Sequence, residues 1–221
     1  MNQNTRFLLI LLLTTLVTHR TYAQPANDSF QRAVYLFPHF VKGSVRMTSG
    51  VMEQAPLNYN VEKQGIAFEK DGQYFDLTAL ETIDTVYIET QKFVPVNGVF
   101  YELIQTTPFG LYATYTGKKR PLTATTEHDG SLRKENGQVS NNVSDVYVTR
   151  QYRGDYAIVF RKQYWLKQYQ SFYKANNEKQ VLKIFPKKEA AIRAFINENN
   201  TDFNKETDLL KLLSFCYSTR S

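Results

Sequence analysis

The sequence is poor in cysteine: Cys216 is the one thiol among 221 residues. A domain with a single cysteine has no internal disulfide, so its stability must come from a hydrophobic core. The thiol lies among the apolar residues Leu212, Leu213 and Phe215. This setting predicts a buried and chemically inert cysteine.

Histidine is also scarce, and the common catalytic and nucleotide-binding motifs are missing. Beyond residue 23 the histidines are His39 and His128, too few for the ligand spacing of a metal site. The sequence has no Gly-x-Ser-x-Gly elbow, no phosphate-binding loop and no dinucleotide fingerprint. We therefore expect no metal and no cofactor, and the sequence identifies no catalytic residue.

Carboxylates on the predicted strands are the residues that a hydrolase would use. Glu53, Glu69, Glu89 and Glu102 are examples, and no spacing among them marks one as an acid and another as a base. We expect them on solvated strand faces. A hydrolase whose catalytic residues converge only in three dimensions stays open as the alternative function.

No apolar run is long enough to cross a bilayer as a helix. The most apolar stretch, residues 7–17, is shorter than the roughly 20 residues that a membrane-spanning helix needs. Arg6 precedes this stretch, and Thr21-Tyr22-Ala23 follows it, as in a cleaved signal peptide. We expect a signal peptide over residues 1–23, no membrane span after cleavage, and a secreted or periplasmic mature protein.

The sequence also lacks a strong excess of one charge. Its net charge is +6, from 27 basic and 21 acidic residues, and acidic residues separate the short basic clusters. No motif of a nucleic-acid-binding module surrounds these clusters. We therefore expect no nucleic-acid partner.

Two hairpin signals are the clearest features that the sequence does contain. Asp71-Gly72 and Asn97-Gly98 each suit a two-residue turn with positive φ angles, and alternating apolar residues flank both turns. The expected cross-strand pairs are Phe68 with Phe75, Ile66 with Leu77, Val96 with Val99, and Val94 with Tyr101. This agreement between turn and pattern predicts an antiparallel sheet.

Alternating residues predict further strands on both sides of these hairpins. Pro56 excludes a central strand position and suits an edge or a bulge. The polar residues 123–142 predict a long loop or a weak hairpin. Residues 180–185 are interpreted as the last strand.

After Pro186 the apolar period changes to that of a helix. Two amphipathic helices are predicted, the first ending at Asn199-Asn200 and the second covering residues 205–217. Their apolar stripes are Ala191, Ile192, Phe195 and Ile196 on the first, and Leu209, Leu212, Leu213 and Cys216 on the second. These stripes must cover the sheet.

We therefore predict a mainly β fold of the α+β class: an antiparallel meander of about eight strands, curled or barrel-like, with a C-terminal pair of amphipathic helices. The expected organisation is a signal peptide (residues 1–23), an N-terminal linker (24–40), an antiparallel β domain (41–185) and C-terminal helices packed on the sheet (186–221).

Aromatic residues are abundant, with 15 tyrosines and 15 phenylalanines. Most are expected simply to pack on a pleated sheet. Amphipathic tyrosine rings at a barrel mouth would also suit a sugar, lipid or peptide ligand. The tyrosines that suggest this are Tyr87, Tyr101, Tyr112, Tyr115, Tyr147 and Tyr156.

Three stretches of the chain resemble uncharacterised exported proteins of the Bacteroidota. They are Gly43-Ser-Val-Arg-Met through Pro56-Leu-Asn-Tyr-Asn60, Phe93-Val-Pro-Val, and Lys183-Ile-Phe-Pro-Lys-Lys to Asn199-Asn-Thr-Asp-Phe203. The resemblance implies a location in the bacterial envelope and supplies no catalytic residues. We predict an exported, soluble envelope protein that binds an apolar ligand, a glycan or an envelope protein partner without catalysis.

Overall fold

The computed structural model describes residues 34–121, 125–126, 132–133, 147–151 and 156–218. The predicted signal peptide, residues 24–33 of the predicted linker and most of the polar stretch 123–142 lie outside the described residues. The strands are β1 Val41–Met47, β2 Met52–Asn60, β3 Gly65–Lys70, β4 Gln73–Asp76, β5 Ile83–Ile88, β6 Gln91–Val96, β7 Val99–Gln105, β8 Gly110–Pro121, β9 Thr125–Thr126, β10 Leu132–Arg133, β11 Tyr147–Gln151, β12 Tyr156–Gln168 and β13 Ser171–Lys174. The helices are α1 Glu178–Ile184, α2 Glu189–Asn199 and α3 Glu206–Ser218, with 3-10 turns at Leu80–Thr82 and Pro186–Lys188.

Eleven of these strands form one antiparallel sheet. Ten follow the order β11-β12-β8-β7-β6-β5-β1-β2-β3-β4, and β13 pairs with the second half of β12. The short strands β9 and β10 pair only with each other. The predicted mainly β, antiparallel architecture with C-terminal helices is confirmed, with more strands than the eight predicted. Within the described residues the sheet stays open, because β4 and β11 do not pair.

Both predicted hairpins are present in the expected register. Phe68 is opposite Phe75 around the first turn, and Val96 is opposite Val99 around the second. The turn residues adopt positive φ angles: 52° and 73° at Asp71 and Gly72, and 50° and 85° at Asn97 and Gly98. The local turn chemistry therefore determined the pairing.

The sheet curls so that its β2–β3 connection contacts β7 and β8. The amide of Phe100 donates to the carbonyl of Gln64 at 2.8 Å, and the amide of Gly117 donates to the carbonyl of Val61 at 3.2 Å. A Cβ atom at Gly117 would lie 2.5 Å from a methyl group of Val61, so this close approach requires glycine. The curl encloses a first core around Leu57, Tyr59, Phe93 and Phe100.

The three helices cover the other part of the same sheet face, which we call the inner face. Leu111, Ala113, Tyr164 and Leu166 of β8 and β12 pack there against helix residues and form a second core. The predicted stripe residues Ile192, Leu209, Leu212, Leu213 and Cys216 are all buried in it. Phe195 stacks on Phe215 with ring centroids 4.6 Å apart.

The prediction of a strand over residues 180–185 is wrong, because the chain forms helix α1 there. Asn177 caps this helix, and its side chain accepts a hydrogen bond from the amide of Gln180 at 3.0 Å. Val181 and Leu182 are buried in the second core. The cap and the burial of this short apolar run therefore outweigh its strand-like composition.

Pro56 lies where β2 is paired on one side only. Lys42 of β1 is its partner, and pairing with β3 begins one residue later, at Leu57 opposite Phe68. The missing amide hydrogen of proline therefore faces no neighbouring strand, as the sequence predicted.

Within the described residues, no helix has the length and apolar character needed to cross a membrane.

Candidate functional site

The outer face of the sheet, opposite the two cores, carries a contiguous group of aromatic rings. Tyr101, Tyr112, Trp165 and Phe172 lie on β7, β8, β12 and β13, and all four are partly exposed. Tyr101, Tyr112 and Trp165 point outward because their strand neighbours Phe100, Glu102, Ala113, Tyr164 and Leu166 point inward and are buried. Phe172 lies on the same face because it is opposite Lys167 in the register of β12 and β13. We call these four residues the aromatic platform.

The rings of the aromatic platform contact one another in a chain. The centroids of Trp165 and Tyr101 are 5.9 Å apart, and the ring of Phe172 lies 5.0 Å from both Tyr101 and Tyr112. The indole nitrogen of Trp165 donates to the hydroxyl oxygen of Thr114 at 3.0 Å. This hydrogen bond fixes the orientation of the one tryptophan in the chain.

Two lysines add positive charge to the aromatic platform. The Nζ atom of Lys174 lies 5.2 Å from the centre of the Trp165 ring, and that of Lys167 lies 5.7 Å from the centre of the Phe172 ring. Both distances are within cation–π range. The lysines therefore keep the apolar rings hydrated, and each can move aside for a ligand because its stem is flexible.

The two tyrosines of the aromatic platform offer polar groups beside the rings. Partial burial raises the pKa of both Tyr101 and Tyr112, so both hydroxyls remain protonated at neutral pH. Among the described residues, neither hydroxyl has a hydrogen-bond partner. The surface thus combines flat apolar rings with free hydrogen-bond donors and acceptors.

The inner face holds a buried ion network at the seam between the two cores. Tyr115 donates to Glu102 at 2.6 Å, Gln91 donates to Glu102 at 2.7 Å, and Lys162 lies 2.9 Å from Glu102. Lys162 also contacts Glu206, the first residue of α3, at 2.7 Å. Strands β6, β7, β8 and β12 are thereby joined to a helix.

The electrostatics of the network keep its charges and its phenol in fixed states. Burial raises the pKa of Tyr115, and the negative charge of Glu102 raises it further. Burial lowers the pKa of Lys162, but the carboxylates of Glu102 and Glu206 outweigh this effect and raise it overall. At neutral pH the tyrosine therefore stays neutral and the lysine stays charged.

The geometry of the network also fits a structural role. The side chains of Glu102 and Lys162 are only 10% and 12% exposed, and their polar atoms are directed at one another. The Nζ atom of Lys162 additionally lies 5.4 Å from the ring centre of Tyr115 and 5.5 Å from that of Tyr164. The network therefore links the sheet to helix α3, and its polar groups bond to one another.

A groove of about 400 Å³ opens on the inner face near β2 and β3. Val45, Leu57, Phe68 and Leu77 supply apolar walls, and Glu53 lies at the same groove. Its volume is in the range of small-molecule sites. It lies on the face opposite the aromatic platform.

The structure separates Glu89 and Glu102 from the other two carboxylates that the sequence singled out. Glu102 belongs to the buried network, and Glu53 and Glu69 both line the inner-face groove. Glu69 follows the inward-pointing Phe68 along β3, so its side chain points to the outer face. Glu89 is exposed in the β5–β6 turn with φ 52°.

The six tyrosines are separated as well. Tyr101 and Tyr112 meet on the aromatic platform, Tyr115 lies in the ion network, and Tyr87 is partly exposed on β5. The side chains of Tyr147 and Tyr156 lie outside what the structure describes. Sequence reasoning missed Trp165 and Phe172. The alternation of Trp165 with the buried residues Tyr164 and Leu166 is the signal that places Trp165 on the outer face.

Among the described residues, no group of three or more histidine, cysteine, aspartate or glutamate side chains is arranged to hold a metal ion. Comparison with protein-family models, with curated proteins and with solved structures found no match to this chain. The resemblance to exported proteins of the Bacteroidota therefore stays a prediction.

Proposed function

We propose that this protein is an exported binding protein that holds a glycan on the aromatic platform. The observation that carries the proposal is the chain of four partly exposed rings on adjacent strands, Trp165, Tyr101, Phe172 and Tyr112. The faces of a sugar ring carry C–H groups that pack on aromatic rings, and its hydroxyls bond to polar groups at the edges.

The flanking groups support a polar ligand over a protein partner. Lysine is depleted in the cores of protein–protein interfaces, whereas Lys167 and Lys174 lie directly against the rings. Their amino groups and the free hydroxyls of Tyr101 and Tyr112 are suitable donors for sugar hydroxyls or carboxylates. A glycan can use both the rings and this polar rim.

Tryptophan fluorescence tests the proposal directly, because Trp165 is the one tryptophan in the chain. We expect its emission to change and saturate when malto-, cello- or chito-oligosaccharides or oligogalacturonates are titrated into the protein. A ligand in the inner-face groove would leave Trp165 unchanged, since the two sites lie on opposite faces. No change with any of these sugars at millimolar concentration would contradict the proposal.

Substitution of Tyr112 by alanine should weaken the binding about tenfold, or ~1.4 kcal/mol, through the loss of one stacking ring. The matched control is Tyr169→Ala, because Tyr169 is 96% exposed in the β12–β13 turn and lies outside the platform. A thermal melt checks that both variants are folded. Equal affinities of the two variants would place the sugar elsewhere.

The exported location rests on the pattern of residues 1–23. We propose that cleavage after Ala23 releases a mature chain that begins at Gln24. N-terminal sequencing of protein recovered from the periplasm or the medium tests this. Recovery of material that begins at Met1 would contradict it.

The hydrolase alternative stays a prediction. In the part of the chain that the structure describes, the buried carboxylate of Glu102 and the partly exposed carboxylate of Glu206 are paired with Lys162 at 2.9 and 2.7 Å. Release of reducing ends from the same oligosaccharides by the wild-type protein would support the alternative over simple binding.

A further inference from the structure

A second recess lies on the outer face of β2, β3 and β4, beneath the chain segment 34–40. The buried side chain of Asn58 holds this segment in place. Its Oδ1 accepts from the amide of Phe37 at 3.0 Å, and its Nδ2 donates to the carbonyls of Phe37 and His39, both at 3.0 Å. A backbone bridge between Tyr35 and Asn60 adds a further tie. Hydrogen bonds therefore hold the segment 34–40 in place against β2, and we call it the roof segment.

Between this roof and the strands is a cavity of about 90 Å³. Aromatic side chains line it: Tyr35, Phe37 and Phe40 from the roof, and Tyr74 from β4, together with the imidazole of His39. The centroids of Phe40 and Tyr74 are 4.6 Å apart, and those of Tyr35 and Phe40 are 4.8 Å apart. The rings thus form one rigid aromatic wall.

The cavity also carries negative charge. Glu69 lines it, and among the described residues its carboxylate has no salt-bridge partner. Asp76 lies close by and is paired with Lys63 on the exposed side. Burial, together with the charge of Asp76, raises the pKa of Tyr35 to about 12, in keeping with a negative potential at the rings.

We propose that this cavity binds a small organic ammonium ion, held by the ring faces of the aromatic wall and by the carboxylate of Glu69. Aromatic rings attract cations through their quadrupoles, and quaternary ammonium groups are recognised in this way. The wall supplies this attraction, and Glu69 supplies the opposite charge that an ammonium ion needs when it leaves water.

The size of the cavity suits an ammonium group, and its chemistry argues against a calcium ion. Its volume of about 90 Å³ leaves room for an ammonium group with methyl substituents. A calcium ion needs about six to eight oxygen ligands, whereas Glu69 is the one carboxylate that lines the cavity. The site is therefore distinct from the aromatic platform and independent of its ligand.

Calorimetric titration of the mature full-length protein with choline tests the proposal. The neutral analogue 3,3-dimethylbutan-1-ol has the same shape without the charge. We expect saturable choline binding and at least tenfold weaker binding of the alcohol. Absence of choline binding, or equal binding of the alcohol, would overturn the proposal.

Two variants and one control locate the ligand. Glu69→Gln keeps the side-chain size and should weaken choline binding at least fivefold, whereas Glu53→Gln, on the neighbouring strand and outside the cavity, should leave it unchanged. If Glu69→Gln fails to fold, Phe40→Leu provides the same test by removing a ring. Unchanged choline affinity in a folded Glu69→Gln or Phe40→Leu variant would refute the site.

Cosedimentation with phosphatidylcholine vesicles identifies the source of the ammonium group. Binding of choline together with the vesicles indicates a lipid headgroup. Binding of choline without the vesicles indicates a free ammonium compound. Both results support a cation site.

Discussion

Lys162 connects the two halves of this protein through a single side chain. Its amino group contacts Glu102 of β7 at 2.9 Å and Glu206 of α3 at 2.7 Å, and it is almost entirely enclosed. Two carboxylates around one buried cation are stable only while that cation is present, because each unpaired buried charge is costly.

Replacing Lys162 by methionine should therefore destabilise the fold by about 3–5 kcal/mol. The expected loss is measured by urea unfolding. Lys167→Met is the matched control, since Lys167 lies on the outer face of the same strand, and it should change stability by less than about 1 kcal/mol. Similar losses in the two variants would show that the buried network adds nothing to the stability.

Gly98 is a second residue whose substitution should change the stability strongly. Its backbone φ is 85°, a conformation that is strained for a side chain with a branched Cβ. Gly98→Val should cost about 1 kcal/mol or more in thermal or urea unfolding. Lys70→Val, at an exposed strand position beside the other hairpin, should be nearly neutral. Equal effects would mean that the turn conformation does not matter.

At the level of elements, the C-terminal helices complete the hydrophobic core. Ile192, Leu209, Leu212 and Leu213 are fully buried, and their partners are Leu111, Tyr164 and Leu166 of the sheet. Helix α3 also supplies Glu206 to the ion network. The sheet and the helices therefore depend on each other.

A chain that ends at Phe185 should lose its cooperative melt and bind a hydrophobic dye. Burying each large apolar side chain contributes roughly 1.5–3 kcal/mol, so the lost helices account for an upper estimate on the order of 10 kcal/mol, comparable to the net stability of a domain. Calorimetry and dye fluorescence measure the outcome. A soluble monomer that melts within a few degrees of the full mature chain would show that the helices are a separate module.

At the level of the whole molecule, several buried groups bind protons more tightly when the protein is folded. The pKa values of Tyr35, Tyr59, Tyr115 and Lys162 are all raised; burial is the main cause for the tyrosines, and the neighbouring carboxylates are the cause for the lysine. The unfolded chain releases these protons near pH 10, the ordinary range of tyrosine and lysine. Stability is therefore complete below about pH 10 and falls as the pH rises further.

Urea unfolding between about pH 8 and pH 11 should show this alkaline loss of stability, at about 1.4 kcal/mol per pH unit for each proton that only the folded state retains. Tyr115→Phe removes one such group, so its stability should fall less steeply above pH 10. A constant unfolding free energy across this range would contradict the assignment of buried, raised-pKa groups.

Local features of the sequence determined much of this fold. The positive-φ turns at Asp71-Gly72 and Asn97-Gly98, the alternation along β1, and the helical stripes after Pro186 all act over a few residues, so they can be predicted without knowledge of distant neighbours. The buried state of Cys216 followed from the same stripe. Where a local pattern was ambiguous, as at α1, the cap at Asn177 and burial against the second core decided the outcome.

Only the tertiary structure decided which side chains meet. The aromatic platform joins four strands, the ion network joins Glu102 to Lys162 and to Glu206, and the small cavity joins the roof segment to Glu69 and Tyr74. These residues are far apart in sequence, and no periodicity encodes the order of strands or the curl of the sheet. The sequence by itself therefore determined the elements and their buried faces, whereas the candidate sites arose from the long-range packing of those elements.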